Sequence, residues 1–206
     1  MRTTHSLDLL RRLAFLPLLA GLLLVTACDS NDPDEDDSAG EEEVITLVRL
    51  TLTPQSGGSA LIADANFDEA GVLQSAEPLM LIPGATYNVA IDLQNTLESP
   101  PESITSEIRD EEPEAHRFFY TAEGGVSDNI VVSNLDTDPN GDPLGLTFRL
   151  AVTGGSGDSG TFRVKLRHYE EDANLPTDKR NDTATAAARP GVVENDIDFV
   201  FPVVIN

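Results

Sequence analysis

Alternation of apolar and polar residues is the feature that most constrains how this chain can fold. Val48, Leu50 and Leu52 share one face of a segment that begins at Val44. The same alternation recurs in four later segments, which are 87–93, 146–152, 162–166 and 197–205, and weaker strands are predicted at 59–67, 78–82, 117–121 and 129–134. A period of two is that of a β-strand with one buried face. The spacing therefore predicts an all-β domain over 44–206, a two-sheet immunoglobulin-like β-sandwich of eight or nine strands.

Two segments depart from this alternation. Ile104 and Ile108 lie four residues apart in a stretch that begins with prolines and ends before Pro113, which predicts one short helix bridging two strands. The connection from Tyr169 to Asn195 is long and polar, and we interpret it as mobile.

The N-terminus has the three parts of a secretory signal peptide over residues 1–27. Arginines precede an apolar run over 13–25, and the small residues Thr26 and Ala27 precede Cys28, the single cysteine. The run is shorter than the roughly 18–20 residues that span a bilayer, which favours cleavage over a permanent membrane helix. A plain signal peptide with a chance cysteine, and a cysteine buried in the core, are the alternatives.

Residues 25–28, Val-Thr-Ala-Cys, resemble the lipobox of bacterial lipoproteins. The resemblance implies lipidation at Cys28 and a membrane anchor, so we expect an exported protein held at the outer membrane, on its periplasmic or cell-surface face. Residues 28–43 then predict a disordered acidic tether, because nine of the fifteen residues from Asp29 to Glu43 are acidic. The acidic run resembles the export signal of surface lipoproteins from Bacteroidota-type bacteria, and a plain spacer is the alternative.

The charge of the chain excludes one class of partner. The full sequence has 13 basic and 36 acidic residues, a net charge of −23. Cleavage before Cys28 removes three arginines and one aspartate, which takes the net charge to −25. Nucleic acid and anionic lipid head groups would be repelled, so we expect no nucleic-acid partner.

Several short segments carry a resemblance that covers nearly the whole mature chain. They are 41–46, 83–87, 103–105, 116–120, 136–138, 143–148 and 166–168. Together they resemble an uncharacterised family of short acidic outer-membrane or surface lipoproteins of Bacteroidota-type bacteria. Members are sometimes labelled type 1 periplasmic binding fold superfamily proteins, a label that implies two α/β lobes where the alternation predicts a β-sandwich.

The most specific ligand pattern lies at Asp136, Asp138, Asn140 and Asp142. With Gly141 it matches the first half of an EF-hand loop, in which alternate oxygen ligands surround Ca²⁺. The twelfth position is Thr147 where that loop has a bidentate glutamate. We keep two interpretations, a Ca²⁺ site and a plain turn between strands.

His116 and His168 are the histidines of the mature chain, and both continue the buried phase of their predicted strands. With Glu112 or Glu114 nearby they are a candidate nitrogen and carboxylate site for zinc or copper. The alternative is a partly buried histidine bonded to backbone, because no HxH, HxxxH or HExxH spacing is present.

Catalytic signatures such as G-x-S-x-G and the P-loop are absent from the sequence, so we predict no enzyme and no catalytic residue. Three functional hypotheses remain. The first is a lipid-anchored binding or structural module for an unknown protein or small ligand. The second is a periplasmic or surface lipoprotein that binds a metal or small ligand, and the third is a hydrolase of unrecognised class.

Overall fold

The computed structural model describes residues 43–169, 179–188 and 193–206. The predicted signal peptide, the predicted lipidation at Cys28 and the tether up to residue 42 lie outside these residues. The described strands are β1 (Leu47–Pro54), β2 (Leu61–Phe67), β3 (Leu73–Ala76), β4 (Leu79–Leu81), β5 (Thr86–Gln94), β6 (His116–Gly124), β7 (Ile130–Ser133), β8 (Thr147–Val152), β9 (Ser159–Tyr169) and β10 (Val193–Ile205).

The strands form two sheets. One has six strands in the order β3-β2-β1-β5-β8-β7, and the other has four in the order β4-β10-β9-β6. Neighbouring strands are antiparallel except β10 and β4, which are parallel. The predicted all-β two-sheet sandwich is thereby confirmed, and the two α/β lobes implied by the family label do not describe this domain.

The core lies between the sheets and is built by the alternation that the sequence shows. Val48, Leu50 and Leu52 of β1 are fully buried, while the residues between them face outward. Phe67 of the six-stranded sheet packs edge-on against Phe199 of the four-stranded sheet, with ring centroids 5.0 Å apart. Burying such side chains contributes about 1.5–3 kcal/mol each, which explains why a period of two dictates this architecture.

The predicted helix is present as α1 (Ile104–Asp110). The side chain of Ser103 caps it by accepting a hydrogen bond from the Ser106 N–H, and Ile104 and Ile108 are its buried residues. The helix joins β5 of one sheet to β6 of the other, as predicted. Within the described residues, no helix is long and apolar enough to cross a membrane.

All nine predicted strands are found, and β3 is an additional one. Leu73 and the two residues after it are exposed, so β3 lacks the buried face from which a strand is predicted. The pairing of β9 with β10 is irregular near the start of β10. Its register shifts between Asn195 and Ile197, which places Asp196 in a β-bulge.

Candidate metal centre

The two histidines of the mature chain face each other at one end of the four-stranded sheet. His116 begins β6, His168 lies near the end of β9, and the two are direct cross-strand partners. Their ring centroids are 4.6 Å apart and the rings are tilted by 33°. His116 is completely buried and His168 is half-buried. The register between β6 and β9 therefore brings the two imidazoles into contact.

The ring of His116 is held at one nitrogen and left without a hydrogen bond at the other. Nδ1 lies 3.0 Å from the main-chain carbonyl of Glu112, which can only accept, so Nδ1 carries the proton. Nε2 has no hydrogen-bond partner among the described residues. A backbone carbonyl that orients the remote nitrogen is the usual support of a metal-binding histidine, because it directs the Nε2 lone pair at the ion.

A carboxylate from the end of the acidic segment lies against this nitrogen. Glu43 Oε1 is 3.0 Å from His116 Nε2, although the contact lacks the geometry of a hydrogen bond. The Glu43 side chain is only 4% exposed, and its Oε2 has no hydrogen-bond partner in the described part of the chain. Buried polar atoms without partners are rare and costly, which makes Glu43 Oε2 and His116 Nε2 candidate ligand atoms for a cation.

A second buried carboxylate borders the same place. Asp196 Oδ2 lies 3.8 Å from His116 Nε2, and the Asp196 side chain is 1% exposed. The β-bulge accounts for its position, because a bulge re-aims a side chain that regular pairing would direct elsewhere.

These groups shift each other's titration. Burial lowers the pKa of His116, but the carboxylates of Glu43 and Asp196 outweigh it, so the pKa lies above its ordinary value. Burial raises the pKa of Glu43, and the contact with His116 outweighs that effect, so the pKa lies below its ordinary value. In the absence of a metal, the site therefore favours a positive imidazolium beside a negative carboxylate.

Glu43, His116 and His168 form what we call the histidine cluster. One potential ligand atom from each residue lies within 4.8 Å of the other two. In a tetrahedral zinc site with bonds of about 2.0–2.2 Å, ligand atoms are about 3.4 Å apart, so a side-chain movement of about 1.4 Å would close the site. Two imidazoles and a carboxylate suit zinc and copper. The histidine cluster is the only group of this kind among the described residues.

The carboxylate of the cluster differs from the two that the sequence suggested. Glu112 contributes its main-chain carbonyl to His116, and the group of three potential ligands contains Glu43 in place of Glu112 or Glu114. The sequence assigns Glu43 to the predicted tether over residues 28–43, because it ends a run of acidic residues. Its position directly before the apolar residues Val44 and Ile45 is the signal that connects it to the domain.

The second predicted site, which we call the aspartate loop (Asp136–Asp142), has its carboxylates engaged in hydrogen bonds. Asp136 Oδ1 accepts from the N–H groups of Gly145 and Thr147 at 2.8 and 3.2 Å. Asp138 Oδ1 accepts from the N–H groups of Asn140 and Asp142 at 2.9 and 2.8 Å. The contacts of Asp138 are those of a turn, in which an aspartate bonds to the backbone two to four residues on, whereas Asp136 bonds to N–H groups nine and eleven residues on.

Two cations complete the aspartate loop. Lys179 Nζ lies 2.7 Å from Asp138 Oδ2 and 2.6 Å from the Pro113 carbonyl, and the side chains of Lys179 and Asp138 are both 1% exposed. Arg180 forms a bidentate ion pair with the Asp142 carboxylate, in which Nε donates to Oδ1 at 2.5 Å and Nη2 donates to Oδ2 at 3.0 Å. Ca²⁺ at the predicted ligands would have to displace these two cations. The calcium prediction remains a prediction, and Asn140 is exposed.

The described part of the 169–195 connection, residues 179–188, lies against the outer face of the four-stranded sheet. Arg117 donates to the carbonyls of Lys179, Arg180 and Asp182, and Lys165 donates to that of Ala184. The connection was interpreted as mobile, and residues 170–178 and 189–192 lie outside the described residues. Its described part supplies the lysine and arginine that bind the aspartate loop.

In comparisons with known proteins, no protein family, curated protein or solved structure matches the chain.

Proposed function

We propose that this protein is an exported, lipid-anchored β-sandwich whose function is to bind a divalent transition-metal ion, Zn²⁺ or Cu²⁺, at Glu43, His116 and His168. One observation carries the proposal: the buried Nε2 of His116 has no hydrogen-bond partner among the described residues, and its Nδ1 is fixed by a backbone carbonyl. A carboxylate lies 3.0 Å from that nitrogen and a second imidazole lies against the same ring, which together make the donor set that zinc and copper select.

The competing explanation is a buried ion pair between protonated His116 and Glu43 that only stabilises the fold. Such a pair accounts for Glu43 Oε1, but not for Glu43 Oε2, which has no hydrogen-bond partner among the described residues, or for the second imidazole that lies against the first. Buried ion pairs also add little net stability over well-packed apolar residues. Metal binding accounts for all three groups at once.

Isothermal titration calorimetry with Zn²⁺ tests the proposal. The full-length chain, purified in detergent with a histidine-free affinity tag, should bind one equivalent, and His168→Ala should weaken binding by at least about 100-fold, since a ligand matters more than its supporting contacts. The matched control is Asn140→Ala in the aspartate loop, which should bind like the parent. Equal affinity of the His168→Ala protein and the parent would refute the proposed site.

The membrane anchor rests on the sequence of residues 1–28 and has a separate test. Cys28→Ala should move the protein from the membrane fraction to the soluble fraction of the envelope, because a lipid chain is what would hold it there. Metabolic labelling with a radioactive fatty acid should mark the parent and leave the variant unlabelled. A parent chain that takes up no label would contradict the anchor and leave the metal proposal standing.

A further inference from the structure

A cleft of about 340 Å³ opens beside the histidine cluster. It lies between the first described residues of the chain, the turn that joins β2 to β3, and the bulge of β10. Glu43 and Asp196 line it, together with Glu69, which is exposed. None of its described lining residues is a lysine or arginine, so the charged side chains of the lining are all acidic.

This arrangement differs from that of a metal ion that only holds a fold together. Structural zinc sites are closed to solvent. Here one ligand of the cluster, Glu43, is itself part of the cleft wall, so the cleft leads from solvent to the edge of the cluster. The cleft carboxylates raise the local concentration of a divalent cation, and they do so most strongly at low ionic strength.

Asp196 is placed to complete the coordination. The cluster offers three donors, and a four-coordinate ion needs one more. The buried Asp196 carboxylate borders both the cleft and His116 Nε2, at 3.8 Å from the latter. A side-chain movement of the same size as that of the other ligands would bring an oxygen of Asp196 within bonding distance of the ion.

We infer that Asp196 is the fourth ligand and that Glu69 guides the ion through the cleft, so that the site takes up and releases a divalent transition-metal ion while the protein stays folded. This inference rests on the proposed function and adds two residues and an exchangeable mode of binding to it. A site of this kind suits a protein that buffers or carries the ion, because its occupancy depends on the free metal concentration around the membrane.

Stopped-flow absorbance with Co²⁺ separates these roles, because its ligand-field bands report both binding and coordination number. At low ionic strength Glu69→Gln should lower the association rate by about threefold, the effect of one charge several ångströms from a divalent ion. The difference should vanish at high salt. Asp128→Asn, which removes one exposed charge at the opposite end of β6, is the matched control and should leave the rate unchanged.

The same experiment assigns Asp196. Asp196→Asn should weaken Co²⁺ binding by at least about tenfold and change the intensity of the ligand-field bands, a response that a purely structural role would not produce. Glu69 is exposed, so its variant folds even where the Asp196 variant does not.

The outcomes separate the inference from the proposed function. Binding by the parent, with association rates of Glu69→Gln and Asp128→Asn equal to each other, would overturn guidance through the cleft. Parental bands and affinity in Asp196→Asn would overturn the fourth ligand. Both results would leave the metal site intact, whereas absence of binding in the parent would defeat the proposed function itself.

Discussion

The histidine cluster and the aspartate loop are both rich in ligand atoms, but they use them in opposite ways. In the aspartate loop, the carboxylates of Asp136, Asp138 and Asp142 accept hydrogen bonds from backbone N–H groups or from Lys179 and Arg180. In the histidine cluster, Nε2 of His116 and Oε2 of Glu43 have no hydrogen-bond partner among the described residues.

The spacing of ligand residues and the availability of their atoms to an ion are therefore separate properties. The loop has the spacing of an ion site, but its carboxylates already accept hydrogen bonds: Asp136 from N–H groups, Asp142 from Arg180, and Asp138 from both N–H groups and Lys179. The cluster has no recognisable spacing, since its three residues are 73 and 52 positions apart in the chain, and its atoms remain available. We therefore expect the two regions to respond differently to substitution, to metal ions and to pH.

Asp138→Ala should lower the free energy of unfolding by about 3–5 kcal/mol, because it leaves the buried Lys179 ammonium without its carboxylate. Urea unfolding at neutral pH measures the loss. Asn140→Ala, an exposed position in the same loop, is the control and should change stability by less than about 0.5 kcal/mol. Equal effects of the two substitutions would show that the ion pair does not hold the loop.

Zn²⁺ should stabilise the parent protein through the histidine cluster alone. At a hundredfold excess of free ion over Kd, the free energy of unfolding should rise by roughly 2.7 kcal/mol, because the ion binds only the folded state. Thermal unfolding with and without Zn²⁺ measures the gain. The gain should be lost in His168→Ala and kept in Asn140→Ala. The reverse pattern would show that Zn²⁺ binds at the aspartate loop and not at the histidine cluster.

Without metal, the cluster should make stability depend on pH. The pKa of His116 is raised, so its stabilisation is complete below the ordinary value of 6.5 and is lost as pH rises through the folded value. The pKa of Glu43 is lowered, so its contribution is complete above the ordinary value of 4.5 and is lost as pH falls through the folded value. Among the described residues, the titratable groups that face His116 are Glu43, Asp196 and His168.

His116→Gln should therefore cost more stability at about pH 5.5 than at about pH 8.5, when both are measured by urea unfolding with a chelator present. The same comparison for Asp142→Asn should show no such difference. The hydrogen bond with Arg180 lowers the pKa of Asp142, so this carboxyl group stays ionised at both pH values. If the loss of stability in His116→Gln does not vary with pH, a protonated His116 does not stabilise the metal-free protein.

Ca²⁺ should have the smallest effect. If the aspartate loop is a turn closed by Lys179 and Arg180, Ca²⁺ and Mg²⁺ at equal ionic strength should raise the melting temperature equally, by screening the negative surface. Differential scanning calorimetry with both ions makes the comparison. A larger shift with Ca²⁺ that disappears in Asn140→Ala would restore the calcium site.

The sequence predicted the sandwich because alternation is a local property. Val48, Leu50 and Leu52 lie within five residues of each other, and their spacing alone specifies one buried face. The helix was predicted for the same reason, from Ile104 and Ile108. β3 escaped prediction because its residues are exposed, and its existence depends on pairing with β2.

The site could be predicted only in part. The inward direction of His116 and His168 results from the phase of their strands, but their contact depends on the register between β6 and β9. Asp196 reaches the cluster through a bulge, which has no distinct pattern in the sequence. The contacts of the aspartate loop with Lys179 and Arg180 could not be predicted, because these residues come from a segment about forty positions away.

Anomalous X-ray scattering at the zinc edge, from crystals of the full chain grown with one equivalent of Zn²⁺, tests the central claim most directly. We predict a single strong peak within about 2.0–2.2 Å of the ligand atoms of Glu43, His116 and His168, with Asp196 as the fourth neighbour. A peak in the aspartate loop, or crystals whose histidine cluster shows no anomalous signal in the presence of the ion, would contradict it.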